Sequence, residues 1–258
     1  MPFGDIIQMP AREDGMVEEG NIAAVFDFDG TLSTGHLFNG VIRHHIKHKV
    51  KRLSVSAYLI THLPLWFLSK IKIQSEEGSK VRWGEDLAVL FKGFEKQEGM
   101  RVFKWVVDNY FRQLIRFDVL ATLRKHRDEG HVIVLLSGTF TDFLEIVRQK
   151  LGADYAIGTK LELINNVYSG KIIKPLCFGI NKAKLLNESI NQGHLNIDLD
   201  HSFAYADSIF DIPVLEMVGN PVATYPDEKL LNLAQRRGWR IFSHTTSQSR
   251  EFADNSML

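Results

Sequence analysis

The segment Asn21-Ile-Ala-Ala-Val-Phe-Asp-Phe-Asp-Gly30 constrains the fold most strongly. Its run from Ile22 to Phe26 is apolar at every position, so it has no face to offer to water. That is the signature of an inner strand of a parallel sheet, covered on both sides. The run ends in acids and a glycine, which carry the chain into a loop at the strand's C-terminal end. Similar runs recur at His131–Gly138, Asp154–Gly158 and Ser202–Asp207, with shorter strand patterns at Pro221–Tyr225 and Arg240–Phe242. Helical patterns lie between them at about 117–129, 140–151, 180–192, 209–218 and 227–237. Strand alternating with helix predicts a doubly wound α/β sheet with right-handed crossovers. One antiparallel piece is expected, a hairpin in which Asn165-Asn166 joins Leu161–Ile164 to Val167–Ile173.

The alternation stops between about Ser33 and Arg116, where the periodicity is helical and breaks are expected near Pro64, Gly78, Gly93 and Gly99. The division read from this is a mobile leader at 1–20, an α/β core at 21–33 and 117–258, and an all-helical insert at 34–116. The insert leaves the core just after the first strand. Ligands of such sheets bind beyond the strand C-termini, so an insert rooted there covers the ligand site.

Composition narrows the function. Hydrophobic residues are 45% and charged residues 24% of the 258, which supports a packed core and excludes wholesale disorder. Thirty-one Lys and Arg balance 31 Asp and Glu, which argues against a general nucleic-acid binder. The single cysteine, Cys177, can form neither an internal disulfide nor a cysteine zinc site. With no apolar signal segment in the first twenty residues, the expected location is cytoplasmic. Oligomeric state is not legible.

Polar residues punctuate the strand ends. Asp27 and Asp29 stand two apart before Gly30, and paired carboxylates with a backbone carbonyl suit a hard cation such as Mg²⁺. Ser137-Gly138-Thr139 runs from a strand toward a helix, where backbone N–H groups favour an anion, although either hydroxyl would also serve as a helix cap. Lys182 opens a helix, where a cation is electrostatically unfavourable. Asp207 ends a strand and Asp211 follows four residues later.

This ordered set resembles the haloacid dehalogenase superfamily of phosphohydrolases. Asp27-x-Asp29-Gly30-Thr31 fits its first motif, Ser137-Gly138-Thr139 its second, Lys182 its third and Asp207-Ser208-x-x-Asp211 its fourth. The long first gap, the hairpin and Gly219–Pro226 are similar to the phosphoserine phosphatase-like branch, over roughly 21–243. The resemblance implies a Rossmann-like core with a helical cap. It implies a phosphomonoester hydrolase in which Asp27 is the nucleophile and Asp29 the acid and base. It further implies Mg²⁺ held by Asp27, the Asp29 carbonyl and Asp207, with Asp211 ordering a metal-bound water or the lysine. By the same resemblance Ser137, the Gly138 N–H and Lys182 are expected to hold the phosphoryl oxygens. The alternatives are a phosphoryl transferase with the same intermediate and a peripheral membrane module that binds anionic lipid through a basic and aromatic cap.

Two positions depart from phosphoserine phosphatase. His36 stands where that enzyme has an acid for the substrate's amino group, and Phe210 where it has an asparagine. The expected substrate is therefore a small phosphomonoester other than phosphoserine, bound in part by His36 and lipid-like in one reading. That reading draws on residues 43–69. There the acid-free basic stretch Arg43–Arg52 runs into the uncharged Leu53–Ser69, which carries Tyr58, Trp66 and Phe67. Basic residues beside aromatic and apolar ones suit the surface of an anionic membrane. The competing reading is a set of cap helices buried on one another with lysines solvated outside.

Overall fold

The computed structural model describes residues 20–70 and 76–243, with side chains of 63–70 outside the description. Most of the leader therefore lies outside the described residues. Seven strands form one sheet in the order β4-β3-β2-β1-β5-β6-β7. β1 (Asn21–Phe26) is at its centre, between β2 (Val132–Phe140) and β5 (Ile197–Ala206), and parallel to both. β6 (Asn220–Thr224) and β7 (Arg240–Phe242) extend the parallel sheet beyond β5. β3 (Tyr155–Ile164) pairs parallel with β2 and antiparallel with β4 (Val167–Ile173).

The apolar run of β1 is buried for the reason its sequence implies. Ala24 and Phe26 join one core layer while Ala23 and Val25 join the other, and Ile133/Leu135 and Val134/Leu136 of β2 divide in the same way. A strand with two dry faces needs apolar residues at every position. One layer is packed by α5 (Phe117–Asp128) and α6 (Thr141–Leu151). The other is packed by α7 (Ile180–Asn191), α8 (Ile212–Leu215) and α9 (Glu228–Arg237).

Between β1 and α5 the described chain is helical: α1 (Leu37–His48), α2 (Arg52–Lys70), α3 (Glu76–Asp86) and α4 (Lys96–Asn109), with short 3-10 turns at Leu87–Phe91 and Phe111–Gln113. Two of the four expected breaks, at Pro64 and Gly99, are absent from the described backbone, and residues 71–75 beside Gly78 lie outside it. The backbone of α2 continues through Pro64, Gly78 lies inside α3, and Gly99 lies inside α4; only Gly93 makes a turn, at φ 80°. Packing explains Gly99. A Cβ there would sit 2.3 Å from the ring of Tyr168, whose hydroxyl donates to Asp142 at 2.6 Å. The glycine lets α4 lie against the hairpin.

Two further differences concern element length. The strand expected at 154–158 and the first arm of the hairpin are one strand, β3, which serves both pairings, and it turns into β4 through Asn165 and Asn166 at φ 50° and 64°. The helix expected at 209–218 shrinks to a 3-10 turn at Ile209–Asp211 and the four residues of α8. There Ser208 Oγ accepts from Phe210 N–H and Asp227 from Ile209 N–H, fixing a tight turn instead of a regular first helical turn.

The aromatic cap residues are largely inward. Tyr58, Phe91 and Phe103 are buried, while Phe94 and Trp105 are partly buried against the same core. Lys47 Nζ lies 5.2 Å from the Trp105 ring centre and Lys51 Nζ 4.5 Å from that of Phe94. No helix among the described residues is long and apolar enough to cross a membrane.

Replacing Gly99 by alanine sets a helix-propensity gain of roughly 1 kcal/mol against overpacking of about 1–3 kcal/mol on a ring that is hydrogen-bonded in place. Net destabilisation is expected, read as a lower urea midpoint, and G99A combined with Tyr168→Leu is expected to recover part of it.

Candidate active site

The order of the sheet brings the ends of β1, β2 and β5 together. Asp27 follows the last residue of β1 and its N–H donates to Tyr205 C=O at 3.0 Å. Asp207 follows β5, and Ser137 lies in β2 beside β1. Gly30 closes the first loop at φ 97°, where a side chain would be strained, and an added Cβ would come within 2.2 Å of Asp207 Oδ2. The loop is tied by Gly30 N–H to Ser33 C=O at 2.7 Å and by Arg116 Nε to Gly30 C=O at 3.3 Å. Thr31 Oγ1 donates to Asp207 Oδ1 at 3.1 Å.

Lys182, in the first turn of α7, is buried and donates to Asp27 Oδ1 and to Asp211 Oδ1, each at 2.6 Å. Burial opposes its charge, but the two carboxylates overcome this and raise its pKa. Here the unfavourable helix-terminal lysine has its explanation, as the counter-ion of two buried acids. Burial lifts Asp27 from 3.8 to about 6, with Lys182 pulling it down and Asp211 adding to the rise. Asp207 is raised well above the ordinary carboxylate value by burial and then by the charges of Asp27 and Asp211.

One carboxylate oxygen from each of Asp27, Asp207 and Asp211 falls within 4.8 Å of the others. Three acids held this close with one lysine leave negative charge to be neutralised, and an all-oxygen donor set fits a hard divalent cation. Asp29 is different. Its Oδ1 is buried without a hydrogen-bond partner, and burial followed by the charge of Asp27 raises its pKa well above the ordinary value.

Ser137 is buried and its Oγ accepts from Thr139 N–H at 3.4 Å. Gly138 is positioned through its carbonyl, which accepts from Thr159 Oγ1 at 2.8 Å; the Thr159 hydroxyl oxygen in turn accepts from Cys177 N–H at 3.1 Å. Thr139 Oγ1 is buried without a partner. Cys177 is buried and its thiol is pushed up to about 12 by burial first, so it is unreactive.

His36 belongs to a different layer. It is exposed, lies just before α1, stacks at 6.0 Å on Phe38, and has its pKa lowered by desolvation and then by Lys80. No described contact joins it to the carboxylates. Phe210 packs on Phe178 at 5.1 Å with Lys80 Nζ 4.6 Å from its ring centre. Phe38 meets Trp83 edge-on at 5.2 Å. Sequence reasoning gives no role to Thr31 or Lys80. Thr31 falls inside the first motif, whereas nothing in the local sequence of α3 signals that Lys80 reaches Phe210.

The family model of the haloacid dehalogenase-like hydrolases matches residues 24–216, and the chain belongs to that family. It is a phosphatase, and it is similar to the phosphoserine phosphatases. Phosphoserine phosphatase SerB1 of Mycobacterium tuberculosis is 28% identical over 85% of this chain and 70% of its own length. A Bordetella pertussis protein of unknown function shares the fold at TM-score 0.73 and 20% identity, over 87% of this chain and 99% of that one. A substrate-bound phosphoserine phosphatase shares it at 0.57 and 17%, over 87% and 94%.

The raised pKa of Asp27 has a stability consequence. Its protonated form is favoured by folding, so its contribution is fully present below the unfolded value of 3.8 and is lost as pH rises through about 6. In EDTA, the melting temperature of the wild type is expected to fall across that window relative to Asp27→Asn, as followed by thermal unfolding at stepped pH.

Proposed function

We propose that the protein hydrolyses a small phosphomonoester through an aspartyl-phosphate on Asp27. The observation that carries this is the pairing of a lysine-held carboxylate, Asp27, with a second one two residues away, Asp29, whose Oδ1 is buried without a hydrogen-bond partner and whose pKa is raised by burial. Asp27 attacks phosphorus, and the bond to the ester oxygen breaks as Asp29 gives that oxygen its proton. Asp29, now ionised, takes a proton from water. The water oxygen attacks phosphorus, and the bond to Asp27 breaks to release phosphate. Lys182 orients Asp27 and balances charge, while Ser137, Gly138 N–H and Lys182 bind the phosphoryl oxygens.

Mg²⁺ is the cofactor of this reading. Asp27, the Asp29 carbonyl and Asp207 would hold it, with Asp211 positioning Lys182. When bound, it supplies positive charge against the carboxylates and the phosphoryl group.

His36 and Phe210 support a substrate other than phosphoserine. Phe38 packs on Trp83 and Phe210 on Phe178, with the cation of Lys80 over the Phe210 ring. Asp27→Asn is expected to abolish phosphate release from an aryl phosphate, and Asp29→Asn to lower kcat by about 10²–10⁴-fold on an alkyl ester. EDTA is expected to stop the wild type and Mg²⁺ to restore it. In a panel of phosphorylated amino acids, sugars, nucleotides and lipid head groups, phosphoserine is expected to rank low. Undiminished activity of D27N rejects the mechanism, and efficient phosphoserine turnover rejects the substrate reading. With a competing alcohol present, exclusive formation of inorganic phosphate separates hydrolase from transferase.

A peripheral membrane contact through residues 43–69 is favoured by a separate observation. Ile46, Leu53 and Ile60 are 61%, 88% and 73% exposed, beside Lys47, Lys49 and Arg52. Trp66 and Phe67 lie outside the described side chains. Sedimentation with anionic vesicles is expected at low salt, weakening at high salt and on neutralising Lys47, Lys49, Lys51 and Arg52. Absence of sedimentation at low salt removes this contact without touching the catalytic reading.

A further inference from the structure

We propose that His126, Glu129 and His131 form a second metal site, outside the catalytic centre, that takes a borderline divalent cation of the Zn²⁺ type. The three residues meet where α5 ends and the chain turns into β2. Gly130 makes the turn at φ 88°, and His131 N–H donates to His126 C=O at 2.9 Å, folding the two rings onto each other. Their Nδ1 atoms are 2.8 Å apart, and Glu129 Oε2 is 3.9 Å from each. With metal–ligand bonds of about 2.0–2.1 Å, the edge of a tetrahedral site is roughly 3.3 Å. The three separations bracket that value, so sub-ångström movements of an exposed glutamate and two rings convert the group into three corners of a tetrahedron.

The surroundings fit a metal ligand set. The other nitrogen of His126, Nε2, lies 2.6 Å from Tyr205 Oη. An outer hydrogen bond of this kind fixes the ring and leaves the facing nitrogen to bind. The Tyr205 ring is stacked at 4.5 Å on Phe26, so this outer partner is itself rigid. The helix C-terminus adds partial negative charge. Two cations stand nearby. Lys125 Nζ is 3.7 Å from the other oxygen of Glu129, and Arg240 acts electrostatically on His126. Both are exposed and water-screened. Imidazole nitrogens with one carboxylate select Zn²⁺ over Mg²⁺, the opposite of the all-oxygen group of Asp27, Asp207 and Asp211. A water completes the fourth corner on the open side.

An ion here would clamp the end of α5 to the start of β2 and, through Tyr205, to β5. The test is calorimetric titration of the full chain with Zn²⁺ in excess Mg²⁺, with Co²⁺ absorption as the second readout. Wild type and Asp207→Asn are expected to bind one equivalent and to show visible bands of tetrahedral Co²⁺. Glu129→Gln and His131→Ala are expected to lose both, with unchanged far-UV circular dichroism, and Tyr205→Phe to bind about 10-fold more weakly. Because Glu129 is exposed, E129Q decides the matter even if H131A folds poorly. No Zn²⁺ equivalent in the wild type, or one that survives E129Q but disappears in Asp207→Asn, overturns the proposal. Phosphate release is not a readout, so the outcome is independent of the catalytic mechanism.

Discussion

The buried lysine between two carboxylates is the interaction on which the rest depends. Lys182 reaches Asp27 and Asp211 at equal distance from an enclosed position. Burying three charges is costly unless each is matched, and removing one partner leaves an uncompensated charge in a low-dielectric interior. The arrangement therefore demands that β1, α7 and the turn after β5 hold their relative positions closely. It also leaves a negative excess once Asp207 is counted, which a divalent cation can offset. A rigid sheet centre is what makes this organisation feasible.

The two sheet faces divide the labour. One core layer joins the sheet to α5, α6 and the helical insert, so the cap and the catalytic sheet share a continuous apolar interior. The other layer anchors α7 and α8, which carry Lys182 and follow Asp211. Glycines serve close approach as much as conformation. Gly30 lets Asp207 come against the loop that follows β1, and Gly99 lets a cap helix meet the hairpin.

Much of the centre was legible because chemistry and hydropathy coincide there. Acids at the end of an all-apolar strand have no structural purpose, and a lysine opening a helix is locally unfavourable, so Asp27, Asp29 and Lys182 stood out. Phe210 and His36 stood out only by comparison with a family pattern. The cap was read less well. Pro64, Gly78 and Gly99 carry strong breaker propensities, yet the helical backbone passes through all three; at Gly99 packing against Tyr168 outweighs about 1 kcal/mol of glycine propensity. The length of β3 was missed because one strand exchanges a parallel partner for an antiparallel one, and no local pattern marks such an exchange.

Sequence alone determined which side chains could take part in chemistry, since charge and nucleophilicity belong to residue type, and it determined the layered sheet through periodicity. Only the tertiary structure decided that Asp211 binds the lysine, that Asp29 keeps an unpartnered oxygen, that Lys80 covers Phe210 and that two histidines face each other below the sheet. Those are matters of distance and burial between segments remote in the chain, and the energies of charges and hydrogen bonds follow distance and burial.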